Sequence, residues 1–416
     1  MHAILVSIGT DGDIFPYVGL GDKLQSRGHR ITLVASEDYE SLADTHGFAF
    51  QPLVSAAENH ALFGNPDFWN PLKTVKLSAR WGVRFIARQY HLLSSIVRPD
   101  SLLIANPGVF AAGLVHEKAG VPMASLVLQP GTIPSSIAPP IMPGVTFLRR
   151  APSFVWKLFW LGLDGVGAAL IGGELNRLRA ALGLRPMRRI FQNWLSRQLA
   201  LGLFPDWYAQ PQPDWPPQLR LTGFPTFDGI QGTVLAPELA EFCRSAPPPI
   251  AFTFGTGMAH PGEAFRAASE ACALLGRHGI FLTKYRDQLP AGLPDSIWHC
   301  TFAPFQRLFP LCAAVVHHGG IGTVAKAMIA GRPQLVYPFC FDQFDNGARL
   351  QKLGVGDCLK PGQMDGRRMA DALSKLLAPE SELQCQKMAQ KFFDAPDAFD
   401  IATQAIEELA ARGSQK

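Results

Sequence analysis

Cysteine is absent before Cys243, and the seven cysteines that follow form no C-x-x-C pair and no zinc-ligand spacing. That excludes a zinc ribbon or finger. An odd, scattered set reads as reduced thiols in a cytoplasmic protein. Charge is also scarce: Asp, Glu, Lys and Arg make up 17% of the chain, against 47% hydrophobic residues. A net charge of +4 without a long basic run leaves no footprint for nucleic acid. The pairs Arg149-Arg150 and Arg188-Arg189 read as solvated charges. The first glycine-rich turn lacks the G-x-G-x-x-G of a dinucleotide site. A leader is not expected either, because residues 1–8 run straight into a Gly/Asp turn with no basic region or cleavage site. No uninterrupted apolar run reaches membrane-spanning length. Residues 154–171 come nearest, but Lys157 and Asp164 interrupt them and glycines at 162, 165, 167, 172 and 173 weaken them as a helix, so a buried or interfacial helix is expected.

What is there is a long, well-filled chain. Its 416 residues exceed one ordinary core, and two domains of roughly 200 residues are expected. The opening reads as βαβ: a strand at 3–8, a turn through Gly9-Thr10-Asp11-Gly12-Asp13, a helix at about 16–26 and a strand at 31–35. Residues 65–71 are a turn cluster with aromatics, and a helical stretch follows at 72–95. Strands are expected at 101–105 and 124–128, then a proline-rich loop at 130–143. Residues 226–249 read as a linker ending in three prolines. A second domain opens with a strand at 250–254, then Gly255-Thr256-Gly257, and continues with a strand at 280–283.

The most informative run is His317-His318-Gly319-Gly320-Ile321-Gly322-Thr323. An apolar strand, 313–316, leads into it, and a helix over 323–330 leads out. Glycines between a strand and a helix expose free N–H groups at the positive end of the helix dipole, which favours an anion. His318 and Thr323 add side-chain donors. A second strand, 334–338, ends just before Asp342-Gln343. In a parallel sheet the loops at the carboxyl ends of strands face the ligand crevice. An anion cradle beside a carboxylate and a carboxamide suits a diphosphate carrying a sugar.

The same run, H-G-G-x-G-T, then G-x-P, then a strand, then D-Q-x-x-N, resembles the donor-binding signature of family 1 nucleotide-sugar glycosyltransferases. The resemblance implies an α/β fold of two Rossmann-like domains facing across a cleft, the GT-B arrangement. It implies that His318, Gly320, Gly322 and Thr323 hold the diphosphate, with Gly255 and Thr256 completing that site. Asp342 and Gln343 would hold sugar hydroxyls, and Phe302 would stack on the nucleobase. Gly9, Gly12, Asp13 and Pro16 match the family's first turn, where Asp13 would act as general base; its simpler role is a helix cap. Asp11-Gly12-Asp13 is formally a D-x-D, but no metal site is expected and no cofactor is implied. Where relatives carry an aspartate after the strand at 101–105, this chain has Asn106-Pro107, so no dyad is expected. Where plant-type members place a ribose-binding Glu, this chain has Lys326, which cannot accept from hydroxyls.

Within the family, the stretches around 1–30 and 189–229 are similar to the rhamnosyltransferases of rhamnolipid biosynthesis. That favours L-rhamnose from dTDP-rhamnose, moved with inversion to a hydroxyl of a hydrophobic acceptor such as a hydroxyacyl lipid. The alternative is UDP-glucose moved to a sterol, carotenoid or phenol. A non-catalytic nucleotide-sugar-binding subunit would share the fold, but intact Asp13, His318 and Asp342-Gln343 argue against it. The implied organisation is an acceptor domain at 1–225, a linker at 226–249, a donor domain at 250–395 and a helix at 396–416 crossing back. The loop at 130–143 and the apolar stretch 147–171 would form the acceptor wall. They also allow peripheral association with the inner face of a membrane.

Overall fold

Residues 3 to 6 are apolar throughout, and their side chains divide between two cores: Ala3 and Leu5 join one, Ile4 and Val6 the other. A strand buried on both faces calls for helices on both sides, as in a parallel sheet. The computed structural model describes residues 1–70, 73–227, 229, 234–245, 247–255, 262–360 and 362–413. In it this strand, β1 (His2–Val6), pairs in parallel with β2 (Arg30–Ser36) and β4 (Ser101–Ala105). With β3 (Ala49–Val54), β5 (Met123–Val127), β6 (Leu199–Gly202) and β7 (Leu219–Leu221) it forms a seven-stranded sheet ordered β3-β2-β1-β4-β5-β6-β7.

A second parallel sheet holds β8 (Ile250–Thr253), β9 (Gly279–Leu282), β10 (Ile297–Cys300), β11 (Ala314–His317), β12 (Gln334–Val336) and β13 (Gly356–Cys358). Its order is β10-β9-β8-β11-β12-β13. Both sheets are doubly wound, as the two-Rossmann expectation requires. The strand order reverses between β1 and β4 and between β8 and β11, so the loops after these four strands open the ligand crevices. A mixed core joins the halves, with Tyr208 and Phe224 packed among Val324, Met328 and Leu350.

Two details depart from expectation. The first helix spans Asp11–Ser26, because Thr10 and Asp13 form a capping box that starts it five residues before Pro16. The stretch expected as a linker contains a helix, Pro237–Arg244. The apolar stretch after residue 147 forms a helix, Ser153–Gly167, that runs through a π-turn at Ala168–Gly172 into Gly173–Ala181. Among the described residues it is the one helix long and apolar enough to span a membrane by composition. Its inner face belongs to the fold: Trp156, Trp160 and Asp164 are buried, and the Asp164 carboxylate accepts the Phe191 N–H at 2.8 Å.

The C-terminal helix, Ala398–Gly413, packs on the N-terminal half. Phe399, Ala402, Ile406 and Leu409 enter the N-terminal core. Asp400 pairs with Lys23 and Arg27, each at 2.9 Å, and Glu407 pairs with Arg27 at 3.0 Å.

Candidate functional site

The turn between β11 and the helix Ile321–Ile329 is set by His317. Its Nδ1 accepts the Gly319 N–H at 3.0 Å, and its Nε2 lies 2.9 Å from Gln334 Oε1. Burial pushes its pKa down to about 3, so it is a neutral structural group. Gly319 has φ of +97°, and a Cβ there would lie 2.8 Å from Val336 and 3.0 Å from the Gln343 carbonyl. No other residue fits both the backbone and the space. Gly320 caps the following helix, whose first described backbone bond runs from Val324 N to Gly320 O. The N–H groups of Ile321, Gly322 and Thr323 therefore have no intrahelical acceptor and lie at the positive end of the dipole. The His318 ring sits over this turn, against Gly255 and Gly320. Desolvation lowers its pKa to about 4, opposed by the Thr253 backbone, so the ring is neutral.

The second loop runs into the helix Gln343–Leu353, with Asp342 at its N-cap. Gln343 Oε1 accepts the Phe339 and Cys340 N–H groups at 2.7 and 3.1 Å, which shapes the loop, and its Nε2 lies 4.0 Å from Cys340 Sγ. Asn346 ties the two loops together. Its Nδ2 donates to the Gly319 carbonyl at 2.8 Å and to Asp342 Oδ2 at 2.6 Å, and its Oδ1 accepts from the Tyr208 hydroxyl of the N-terminal half at 2.9 Å. Burial raises the Asp342 pKa to about 7, and the Asp13 carboxylate adds to that rise.

Asp13 comes from the opposite half. Its Oδ2 accepts the Thr10 N–H at 2.9 Å and lies directly over Gly9, where any Cβ would collide with it. Burial raises its pKa to about 6 against the lowering effect of Thr10. The candidate base is thus also the group that closes the capping box. Asp11 turns away to accept from the Tyr39 hydroxyl at 3.0 Å, so the two carboxylates of the D-x-D do not converge. Among the described residues no group of three or more His, Cys, Asp or Glu side chains gathers as a metal site. Asn106 lines the cleft, but its Oδ1 accepts the Gly108 N–H at 2.9 Å.

One cavity of about 900 Å³ contains Asp13, Gly255, Phe302, His318, Gly320, Gly322, Thr323, Asp342 and Gln343. Thr256 lies outside the described residues. Phe302 is 55% exposed, which rules out a core role and leaves its ring facing the cleft. Lys326 also lines the cleft, its ammonium 5.7 Å from the Phe305 ring centroid. The cavity continues into the N-terminal half. There it is walled by Ile141 and Met142 of the proline-rich loop and by Phe159, Trp160 and Leu163 of the long helix. It also meets residues that sequence reasoning left unassigned: Phe63, Phe68 and Trp69, and Val75, Ala79 and Ile86 of the helix Thr74–Ile96. The aromatic cluster before that helix was the available signal.

Comparison with known proteins agrees with this geometry. Residues 3–135 match the glycosyltransferase family 28 N-terminal domain, and residues 278–409 match the erythromycin biosynthesis protein CIII-like C-terminal domain. Glycosyltransferase GtfE of Amycolatopsis orientalis is 29% identical over 94% of this chain and 93% of its own length. Sterol 3-beta-glucosyltransferase UGT80A2 of Arabidopsis thaliana is 26% identical over 95% of this chain, which spans 63% of that protein. Among solved structures, glycosyltransferase VinC in complex with dTDP superposes with a TM-score of 0.70 at 18% identity, covering 99% of this chain and 100% of that one. The chain is a glycosyltransferase of the GT-B fold, similar to family 28 N-terminal domains over residues 3–135 and to EryCIII-like C-terminal domains over residues 278–409.

Proposed function

We propose that the chain is an inverting hexosyltransferase that needs no metal and moves a sugar from a nucleoside diphosphate to a hydroxyl of a hydrophobic acceptor. The supporting observation is that one cleft holds the anion-binding turn, Asp342 beside it, and Asp13 facing an apolar wall. The diphosphate would lie on the N–H groups of residues 321–323, with His318 and the Thr323 hydroxyl donating to it and Phe302 stacking on the base. Asp342 and the Gln343 amide would hold the sugar. The acceptor oxygen attacks the anomeric carbon as the bond to the diphosphate breaks, and Asp13 takes the hydroxyl proton. Attack opposite the leaving group inverts that carbon. A carboxylate with a pKa of about 6 is a stronger base than an ordinary one and is still mostly ionised at pH 7. The leaving charge is met by oriented donors rather than by a cation.

For the donor we favour L-rhamnose on dTDP, which loses least from having Lys326 where a ribose-binding carboxylate could stand, and for the acceptor a hydroxyacyl lipid. A second reading is glucose from UDP-glucose to a sterol, carotenoid or phenol. The likeness to a sterol glucosyltransferase along 95% of the chain favours it. The seven free cysteines support a cytoplasmic setting, at the inner face of a membrane where the acceptor is a lipid. Calorimetric titration of the chain with dTDP and UDP tests the proposal. Tighter dTDP supports the rhamnosyl reading and tighter UDP the glucosyl one; binding of neither overturns both.

A further inference from the structure

The long helix over the acceptor cavity is apolar on two opposite faces. The inner face, with Phe159, Trp160 and Leu163, lines the cavity. The outer face carries Phe154 (61% exposed), Leu158 (63%) and Leu161 (45%), spaced i, i+4, i+7 along one stripe. Phe147, in the turn just before the helix, is 79% exposed. Only 28% of the helix's most apolar window is buried, and its outer residues are exposed among the described residues. The charge around the stripe has one sign. Arg149 and Arg150 precede the helix and Lys157 lies on it, all exposed, and no Asp or Glu occurs between Lys118 and Leu163.

An apolar stripe edged only by cations fits the boundary between acyl chains and anionic headgroups. The buried inner face keeps the helix in the fold, so it would lie in the membrane plane and not cross the bilayer. We propose that Phe147 and the outer stripe of Ser153–Gly167 dock the protein on an anionic bilayer surface, with Arg149, Arg150 and Lys157 against the phosphates. For its purpose, bringing a lipid-borne acceptor to the cavity wall, this rests on the hydrophobic-acceptor reading; the docking itself is tested apart from it.

The test is flotation of the full chain with vesicles of phosphatidylcholine, with and without about one third phosphatidylglycerol. Nucleoside diphosphate binding, measured in parallel, serves as the fold and function control. The chain is expected to float with the anionic vesicles, and Leu158→Glu and the pair Arg149→Glu, Arg150→Glu are each expected to lower that partition at least about tenfold. Both should leave nucleotide affinity unchanged. Absence of binding by the parent chain, or equal binding by Leu158→Glu, overturns the proposal. So does a dimer in sedimentation velocity that Leu158→Glu dissolves, since the stripe would then be covered by a second copy. Failure of nucleotide binding would instead overturn the transferase reading and leave the docking result standing.

Discussion

At the scale of single residues, the cleft works by moving carboxylates and imidazoles away from their ordinary pKa values. Asp13 has to be ionised to accept a proton, so turnover at saturating donor should rise with pH through about 6 and then level, as a pH–rate profile would record. If Asp342 holds sugar hydroxyls as proposed, it does so as a carboxylate, and donor affinity should strengthen as pH rises through about 7. Under the proposed mechanism His318→Ala removes a donor to the diphosphate. It should weaken nucleoside diphosphate binding by about 1.5–3 kcal/mol, on the order of 10- to 100-fold, in the same calorimetry. Residue types at these positions were legible in the sequence because strand, glycine turn and helix follow one another so closely. Bonding was not. That Gln343 spends its carbonyl on Phe339 and Cys340, and that Asn346 joins Gly319, Asp342 and Tyr208, depends on where the second loop folds back.

At the scale of elements, the donor site depends on how tightly the turn after β11 can bend. Gly319→Ala would place a Cβ against Val336 and the Gln343 carbonyl at a backbone angle alanine resists. A stability loss of about 1–3 kcal/mol in urea unfolding is expected, together with loss of nucleotide affinity. Unchanged affinity would mean that the turn does not hold the diphosphate. Phe341 is strained in the same sense, with φ of +53°, and its ring packs 5.3 Å from Phe68 of the other half, just before Asp342. Strands with continuous apolar runs, such as β1, β4 and β8, were legible because both faces are buried. The edge strands β7, β10 and β13 were not, since their residues are mostly half-buried and no continuous apolar run marks them. The early start of the first helix was missed because Pro16 reads as a helix opening, whereas the Thr10–Asp13 capping box starts it at Asp11.

At the scale of the whole molecule, the two halves are joined by the mixed core around Tyr208 and by the returning C-terminal helix. That helix offers both apolar and ionic contacts, and their magnitudes rank them. Exposed ion pairs such as Lys23–Asp400 contribute about 0–1 kcal/mol each, while truncating a buried phenylalanine costs about 3–5 kcal/mol. Phe399→Ala should therefore lower the urea midpoint far more than Asp400→Asn. The two-domain plan was legible from length, and an amphipathic C-terminal helix from the pattern at 396–412. The extent of the cavity was not, because it gathers Phe68, Val75 and Ile86 with Ile141 and Trp160 across large gaps in sequence.

The central claim is that Asp13 is the base of a sugar transfer and not merely a helix cap. The two roles differ in Asp13→Asn. Burial penalises the ionised form, so the folded pKa lies above the unfolded one and the cost to stability is present above about pH 6 and absent below about pH 4. Neutral asparagine relieves that cost, by up to about 3 kcal/mol at pH 8. The measurement is turnover and nucleotide affinity of Asp13→Asn at pH 8. Affinity within about twofold of the parent and turnover reduced at least about 100-fold are predicted. Turnover near that of the parent would contradict the account.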